Sequence, residues 1–165
     1  ELLNRDIDDW SITFVDTGVQ ANIGQRLRAV APHVRDEEVI LANYTDGLTD
    51  AYLPDLIDCL HENDAIATFL SVKPSQSFHA VATNHDRQVV AMQPIGDADI
   101  WLNGGYFVFR RDFFDYLEDG EELVEVPFRR LIQQKQLRIF LIFFFDVVVN
   151  QIIGYFIKFN RPAGF

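Results

Sequence analysis

Residues 38–73 read EVILANYTDGLTDAYLPDLIDCLHENDAIATFLSVK, and the fold is decided here. EVILAN (38–43) is apolar and rich in strand formers, which predicts a buried strand, and the polar loop YTDGLTD follows it. Leu53, Leu56, Ile57 and Leu60 then recur on one face of a helix over Leu53–His61, with Asp55 and Asp58 turned outward. IATFLSVK (66–73) reads as the next buried strand, ended by Pro74. Strand, helix and strand in succession call for a mainly parallel sheet with helices on both faces.

Working outward, WSITFV (10–15) reads as an earlier buried strand, and Asp16 to Gly24 as a polar loop. QRLRAVAPHV places Leu27, Val30 and Val34 at helical spacing until Pro32 interferes, so a short helix is expected there. Downstream, FHAVATN and QVVAMQPI flank His85–Arg87 as a hairpin, which would make the sheet mixed. WLNGGYFVF (101–109) is a strand broken at Gly104–Gly105, and Arg110–Glu118 reads as a helix. A last amphipathic helix, Val126–Gln134, is expected to bury Phe128, Leu131 and Ile132. The fold class is α/β with a mixed, mainly parallel sheet.

The chain has 165 residues, enough for one ordinary domain. Its 14 Lys+Arg against 25 Asp+Glu give a net charge of −11, which argues against nucleic acid as a partner, since phosphate neutralisation needs a basic face. With 48% apolar and 13% aromatic residues it can bury a sizeable core. Cys59 is the single cysteine, so an intrachain disulfide, a four-cysteine zinc site and a C-x-x-C redox pair are excluded. The histidines (His33, His61, His79, His85) lack H-x-x-x-H spacing, and His79 reads as a partly buried ring on an apolar strand.

The two ends read differently from the middle. Glu1 opens the chain with neither initiator Met nor charged-then-apolar leader, which predicts a fragment of a cytoplasmic protein. Residues 1–138 form the expected domain. Residues 139–165 form an apolar tail holding seven of the 15 phenylalanines. One reading is a buried strand over Leu137–Val149 followed by an atypical tail. The other is a membrane anchor over 139–157, opposed by Asp146, Asn150 and Gln151. A mid-helix Asp alone costs roughly 2.5–3.5 kcal/mol against about 0.3–0.6 gained per large apolar residue.

In an open α/β sheet, ligands gather at the C-terminal ends of the strands. Asp46, leaving a buried strand and followed by Gly47, is a candidate ligand for a hard cation; magnesium takes one or two protein carboxylates and completes its shell with phosphate and water. The same Asp-Gly pair also suits a plain turn. Arg26 and Arg28, beside Gly24 at a helix start, make a candidate anion site or an ordinary solvated face. Asn103-Gly104-Gly105 offers amides to a sugar hydroxyl, or simply a bulge. The acidic 118–125 stretch reads as a solvated loop and helix entry. There is no G-x-S-x-G elbow, Walker loop or H-E-x-x-H.

Taken in order, VDTG, GQRLRAV, YTDGLTD, WLNGGYFVF with RRDFFDYL, and GEELVEVPFRRLI resemble the glucose-1-phosphate cytidylyltransferase family of sugar nucleotidyltransferases over most of residues 10–138. The resemblance implies a Rossmann-like nucleotidyltransferase fold, here incomplete. It also implies joining of CTP to a sugar 1-phosphate, with release of pyrophosphate and with Mg2+ as cofactor. On the same resemblance Asp46 matches the metal ligand and Arg26 a nucleotide contact. Gly24 and Thr45 fall on the nucleotide side, and Asn103, Gly104 and Gly47 on the sugar side. Thr45 stands where the family has Gly, and Met92-Gln93-Pro94 where it has Glu-Lys-Pro. The family's glycine-rich loop would precede Glu1, and its second metal Asp has no match in the tail. The alternatives are a non-catalytic relic of that fold, a membrane-attached protein, or a glycosyltransferase on the same architecture. A homo-oligomer stays open.

Overall fold

The computed structural model describes residues 10–142. In chain order they form α1 (Ile23–Val34), β1 (Val39–Asn43), α2 (Leu53–Glu62), β2 (Ala67–Val72), β3 (His79–Thr83), β4 (Val89–Pro94), β5 (Leu102–Arg110), α3 (Val126–Gln133) and β6 (Leu137–Ile142). A 3-10 segment, Arg111–Tyr116, stands where a helix was expected after β5.

Four strands make one sheet in the order β1-β5-β2-β6. β5 pairs antiparallel with both β1 and β2, and β6 pairs parallel with β2. Three of the four strands therefore share a direction, and β5 is inserted between two of them. It is β5, not the hairpin, that makes the sheet mixed. The β3–β4 hairpin forms a separate two-stranded sheet. Val81, Val89, Val90 and Met92 on it are exposed, because two strands alone have no second layer to cover them.

Alternation along β5 divides the core. Phe107 and Phe109 face Leu27 of α1, Phe128 and Leu131 of α3 and Phe113, while Val108 faces Leu56 and Leu60 of α2 on the other side. Helices thus cover both faces. The centre is aromatic: Phe109 stacks on Phe113 at 4.2 Å between centroids, and Phe128 meets Phe113 edge-on at 6.5 Å. Each buried ring contributes about 1.5–3 kcal/mol of transfer free energy.

Four further expectations need correction. Residues 10–15 form no strand: Trp10, Ile12 and Phe14 are 41%, 47% and 78% exposed, and no described strand pairs with them. Alternating apolar residues make a strand only when a neighbour takes their backbone hydrogen bonds. Pro32 does not end α1, which continues to Val34, because a proline in the last turn forfeits little. Ile132 points outward from α3 at 61% exposure, and His79 is exposed rather than buried.

β6 continues through the boundary expected at residue 138, so the first residues of the apolar tail belong to the sheet. The rest of the tail, and with it most of the 139–157 segment, lies outside the described residues. Among the described residues no helix is long and apolar enough to cross a membrane.

Candidate active site

β1 and β2 point their C-terminal ends toward one edge of the sheet, and the antiparallel β5 begins there. This edge gathers Tyr44–Gly47 after β1, Lys73 after β2 and Asn103–Gly105 at the start of β5.

The two segments expected to carry chemistry meet directly. Beyond the Asn43–Tyr106 pair, the Tyr44 amide donates to the Gly105 carbonyl at 2.8 Å. Thr45 and Asp46 then form a turn in which the Gly47 amide reaches the Tyr44 carbonyl at 3.4 Å. A Cβ on Gly47 would lie 3.9 Å from the Tyr106 ring and 4.0 Å from the Gly104 carbonyl oxygen, so the Asp46-Gly47 turn lies against the Asn-Gly-Gly backbone. From the other side, the Tyr106 hydroxyl donates to the Gly47 carbonyl at 2.8 Å.

Asn103 caps its own turn by accepting from the Gly105 amide at 2.9 Å. The strand is irregular here: Phe69 pairs with Phe107 and Ser71 with Asn103, so one residue of β2 spans three of β5. Gly104 makes this feasible, since a Cβ there would sit 3.2 Å from the Leu70 carbonyl oxygen. Gly105 adopts φ +76°, and a Cβ on it would meet the Tyr44 ring at 2.8 Å. The bulge and the sugar-side candidate are thus the same structure.

Tyr44 is the hub. Burial raises its phenol above the usual tyrosine range; the Asn103 side chain pulls it down, and the charges of Glu122 and Asp46 push it up. Burial likewise raises Tyr106, partly offset by the Thr49 backbone. Behind Tyr44 lies a shallow apolar hollow walled by Ile23 and Leu27 of α1, Leu123 and Phe107.

The α1 candidates sit differently. Asn22 accepts from the Gln25 amide at 2.8 Å and Gln25 accepts in return from the Asn22 amide at 3.0 Å, a reciprocal cap that satisfies two end groups. Gly24 is buried beneath the 117–123 loop, where a Cβ would overlap the Glu121 carbonyl oxygen at 2.1 Å. Arg26 turns back on the preceding loop, donating from Nε to the Ala21 carbonyl at 2.9 Å and from a terminal nitrogen to Thr17 Oγ1 at 3.3 Å. Arg28 is exposed and holds the Leu117 carbonyl at 2.6 Å. Asp46, Gly47, Asn103 and Gly104 are therefore brought together, whereas the Arg26 guanidinium is engaged in its own loop.

The Asp46 carboxylate is partly exposed and makes no ion pair among the described residues. No group of three or more His, Cys, Asp or Glu side chains able to hold a metal occurs among them either. One free carboxylate at a ligand edge fits Mg2+ delivered with phosphate, and does not fit a protein-only cage. Tyr44, Tyr106 and Lys73 were not singled out from sequence. A tyrosine on a strand, another just past a strand end and a lysine in the same kind of place are ordinary, and only three-dimensional contact distinguishes them.

No family model matches the chain. It is 32% identical over 143 residues to glucose-1-phosphate cytidylyltransferase of Salmonella typhimurium, covering 85% of this chain and 55% of that protein. It is 30% identical over 135 residues to a Bacillus subtilis protein assigned the same activity, covering 81% and 52%. A crystal structure of a protein assigned as a glucose-1-phosphate thymidylyltransferase from Bacillus anthracis shares the fold, with a TM-score of 0.52 and 12% identity over 76% of this chain and 55% of that one. The chain spans about half the length of the curated relatives it matches. In sequence the chain is thus similar to glucose-1-phosphate cytidylyltransferases over most of its length, and in fold to the Bacillus anthracis protein.

Proposed function

We propose that the edge formed by Asp46, Gly47, Asn103 and Gly104 serves a sugar-1-phosphate nucleotidyltransferase, with glucose 1-phosphate and CTP as substrates and CDP-glucose and pyrophosphate as products. The observation that carries this reading is the contact between the Asp46-Gly47 turn and the Asn103–Gly105 backbone, which sets a free carboxylate beside an amide-rich bulge.

In the reaction a phosphate oxygen of the sugar 1-phosphate attacks the α-phosphorus of the nucleotide, and the bond to the departing pyrophosphate breaks. Positioning and charge neutralisation supply the catalysis. Mg2+, held by Asp46, would draw off charge developing on phosphate oxygens. Asn103 and Gly104 orient the sugar, and the lack of a side chain at Gly47 lets the ligand approach the turn. Thr45, Gly24 and Arg26 take the nucleotide side. Arg26 reaches phosphate by releasing the Thr17–Ala21 loop, so nucleotide binding and loop rearrangement are coupled.

Calorimetric titration of the chain with CTP and Mg2+, followed by a pyrophosphate-release assay with glucose 1-phosphate, tests the reading. Magnesium-dependent binding that disappears in Asp46→Ala supports it. Absence of nucleotide binding in the unaltered chain overturns it in favour of a non-catalytic remnant of the fold.

A further inference from the structure

Lys73 follows β2 directly, at the same edge as Asp46 and on the far side of β5 from it. Two strand spacings, about 10 Å, separate the ends of β1 and β2. The intervening strand end carries Asn103, which pairs with Ser71, two residues before Lys73.

The lysine is half-buried and oriented. Its Nζ donates to the Ala98 carbonyl at 2.5 Å and rests 4.7 Å from the centroid of the Trp101 ring. These contacts use one of its three donors and compensate the charge only weakly, because neither partner is an anion. Asp97 and Asp99 flank Ala98 but are exposed, and neither forms an ion pair with Lys73. Arg110 is paired with Asp64 at 2.9 Å, and Arg130 with Glu121 at 2.6 Å and Glu118 at 3.1 Å, whereas Arg26, Arg28 and Arg138 are held, like Lys73, by neutral acceptors. Lys73 is thus a half-buried cation without a counter-ion among the described residues, set at the same edge as Asp46.

The geometry points to Lys73 as a phosphate-binding residue that receives the phosphate of the sugar 1-phosphate beside Asn103. Trp101 and Ala98 hold the ammonium in place, and its two remaining donors face the anion. The inference rests on the function proposed above and adds the residue that recognises the charged end of the second substrate. A phosphate here lies across β5 from Asp46, so the cation and the metal ligand flank the reacting groups from opposite sides.

The test titrates the unaltered chain, Lys73→Met and Lys73→Arg with glucose 1-phosphate, with unphosphorylated glucose, with inorganic phosphate and with CTP plus Mg2+. Lys73→Met is expected to weaken glucose 1-phosphate binding about tenfold, the scale of one charge-assisted hydrogen bond, with CTP binding unchanged. Lys73→Arg is expected to retain most of the affinity. Equal affinity of Lys73→Met and the unaltered chain for glucose 1-phosphate overturns the assignment, as does an unaltered chain that binds CTP but no glucose 1-phosphate. Inorganic phosphate binding as tightly as the sugar phosphate also overturns it, by marking a general anion site. Loss of CTP binding in the unaltered chain instead removes the function on which the assignment stands. Should Lys73→Met fail to fold, Trp101 fluorescence in Trp10→Phe gives a second readout: glucose 1-phosphate must change its emission and glucose must not. A sugar phosphate that binds without changing that emission overturns the assignment.

Discussion

The Tyr106 hydroxyl donates to the Gly47 carbonyl at 2.8 Å, so a side chain from the middle of the sheet fixes the residue next to the candidate metal ligand. Tyr106 sits on β5 and Gly47 in the loop after β1, and their bond holds the Asp46 turn at a set height above the sheet edge. Tyr106→Phe removes that one bond and keeps the ring. Its expected cost in denaturant unfolding is about 0.5–1.5 kcal/mol. A several-fold loss of magnesium-dependent CTP affinity should accompany it, measured by calorimetry. Unchanged affinity would show that the turn keeps its place without the phenol.

Gly105→Ala combines two faults. Its backbone is left-handed at φ +76°, and the new methyl meets the Tyr44 ring at 2.8 Å. The conformational part alone costs about 1–2 kcal/mol. Displacement of Tyr44 should also show as a shift of its ring resonances in an NMR spectrum. A variant with native stability and an undisturbed Tyr44 would contradict the close contact.

Tyr44 and Tyr106 bring a pH dependence whose sign can be stated. Burial raises both phenols, so at alkaline pH the unfolded chain gives up these protons before the folded chain does. Their contribution to stability is complete below the ordinary tyrosine value of 10.0 and is lost as pH rises from there through the folded values. Melting temperatures between pH 8 and pH 11 should fall less steeply in Tyr44→Phe than in the unaltered protein. Identical slopes would place the Tyr44 phenol in solvent.

Gly24→Ala tests what that glycine is for. A methyl there overlaps the Glu121 carbonyl oxygen, so the variant should lose about 1–3 kcal/mol with no ligand present. The damage should spread to the neighbouring loop, where Glu121 is held by Arg130. A variant as stable as the parent but unable to bind CTP would instead assign Gly24 to the nucleotide alone.

Much of the fold was legible because local patterns were strong. Leu56 and Leu60 fell at helical spacing and are buried, and VILAN and ATFLSV became strands close to their expected bounds. Partnership was not legible. WSITFV has strand composition yet lies exposed, and nothing within the segment reports whether a neighbour is present. The insertion of β5 between β1 and β2 is a contact between distant residues, written in no local period. At the site, Asp46-Gly47 and Asn103-Gly104-Gly105 could be named because carboxylate, amide and glycine at strand ends carry chemical meaning. Tyr106 and Lys73 could not, since their roles come from which carbonyl each one reaches.

The place of β5 has a consequence for how the polypeptide acquires its shape during synthesis. β1 and β2 are made early, yet neither pairs with the other; both wait for a strand that ends at Arg110. When synthesis has reached residue 100, β1 and β2 are present without the strand that joins them, and of the described strands only the β3–β4 hairpin has its partner. Arrest-peptide force measurements along the nascent chain should register no compaction of this sheet until β5 has left the exit tunnel, after which both halves close at once.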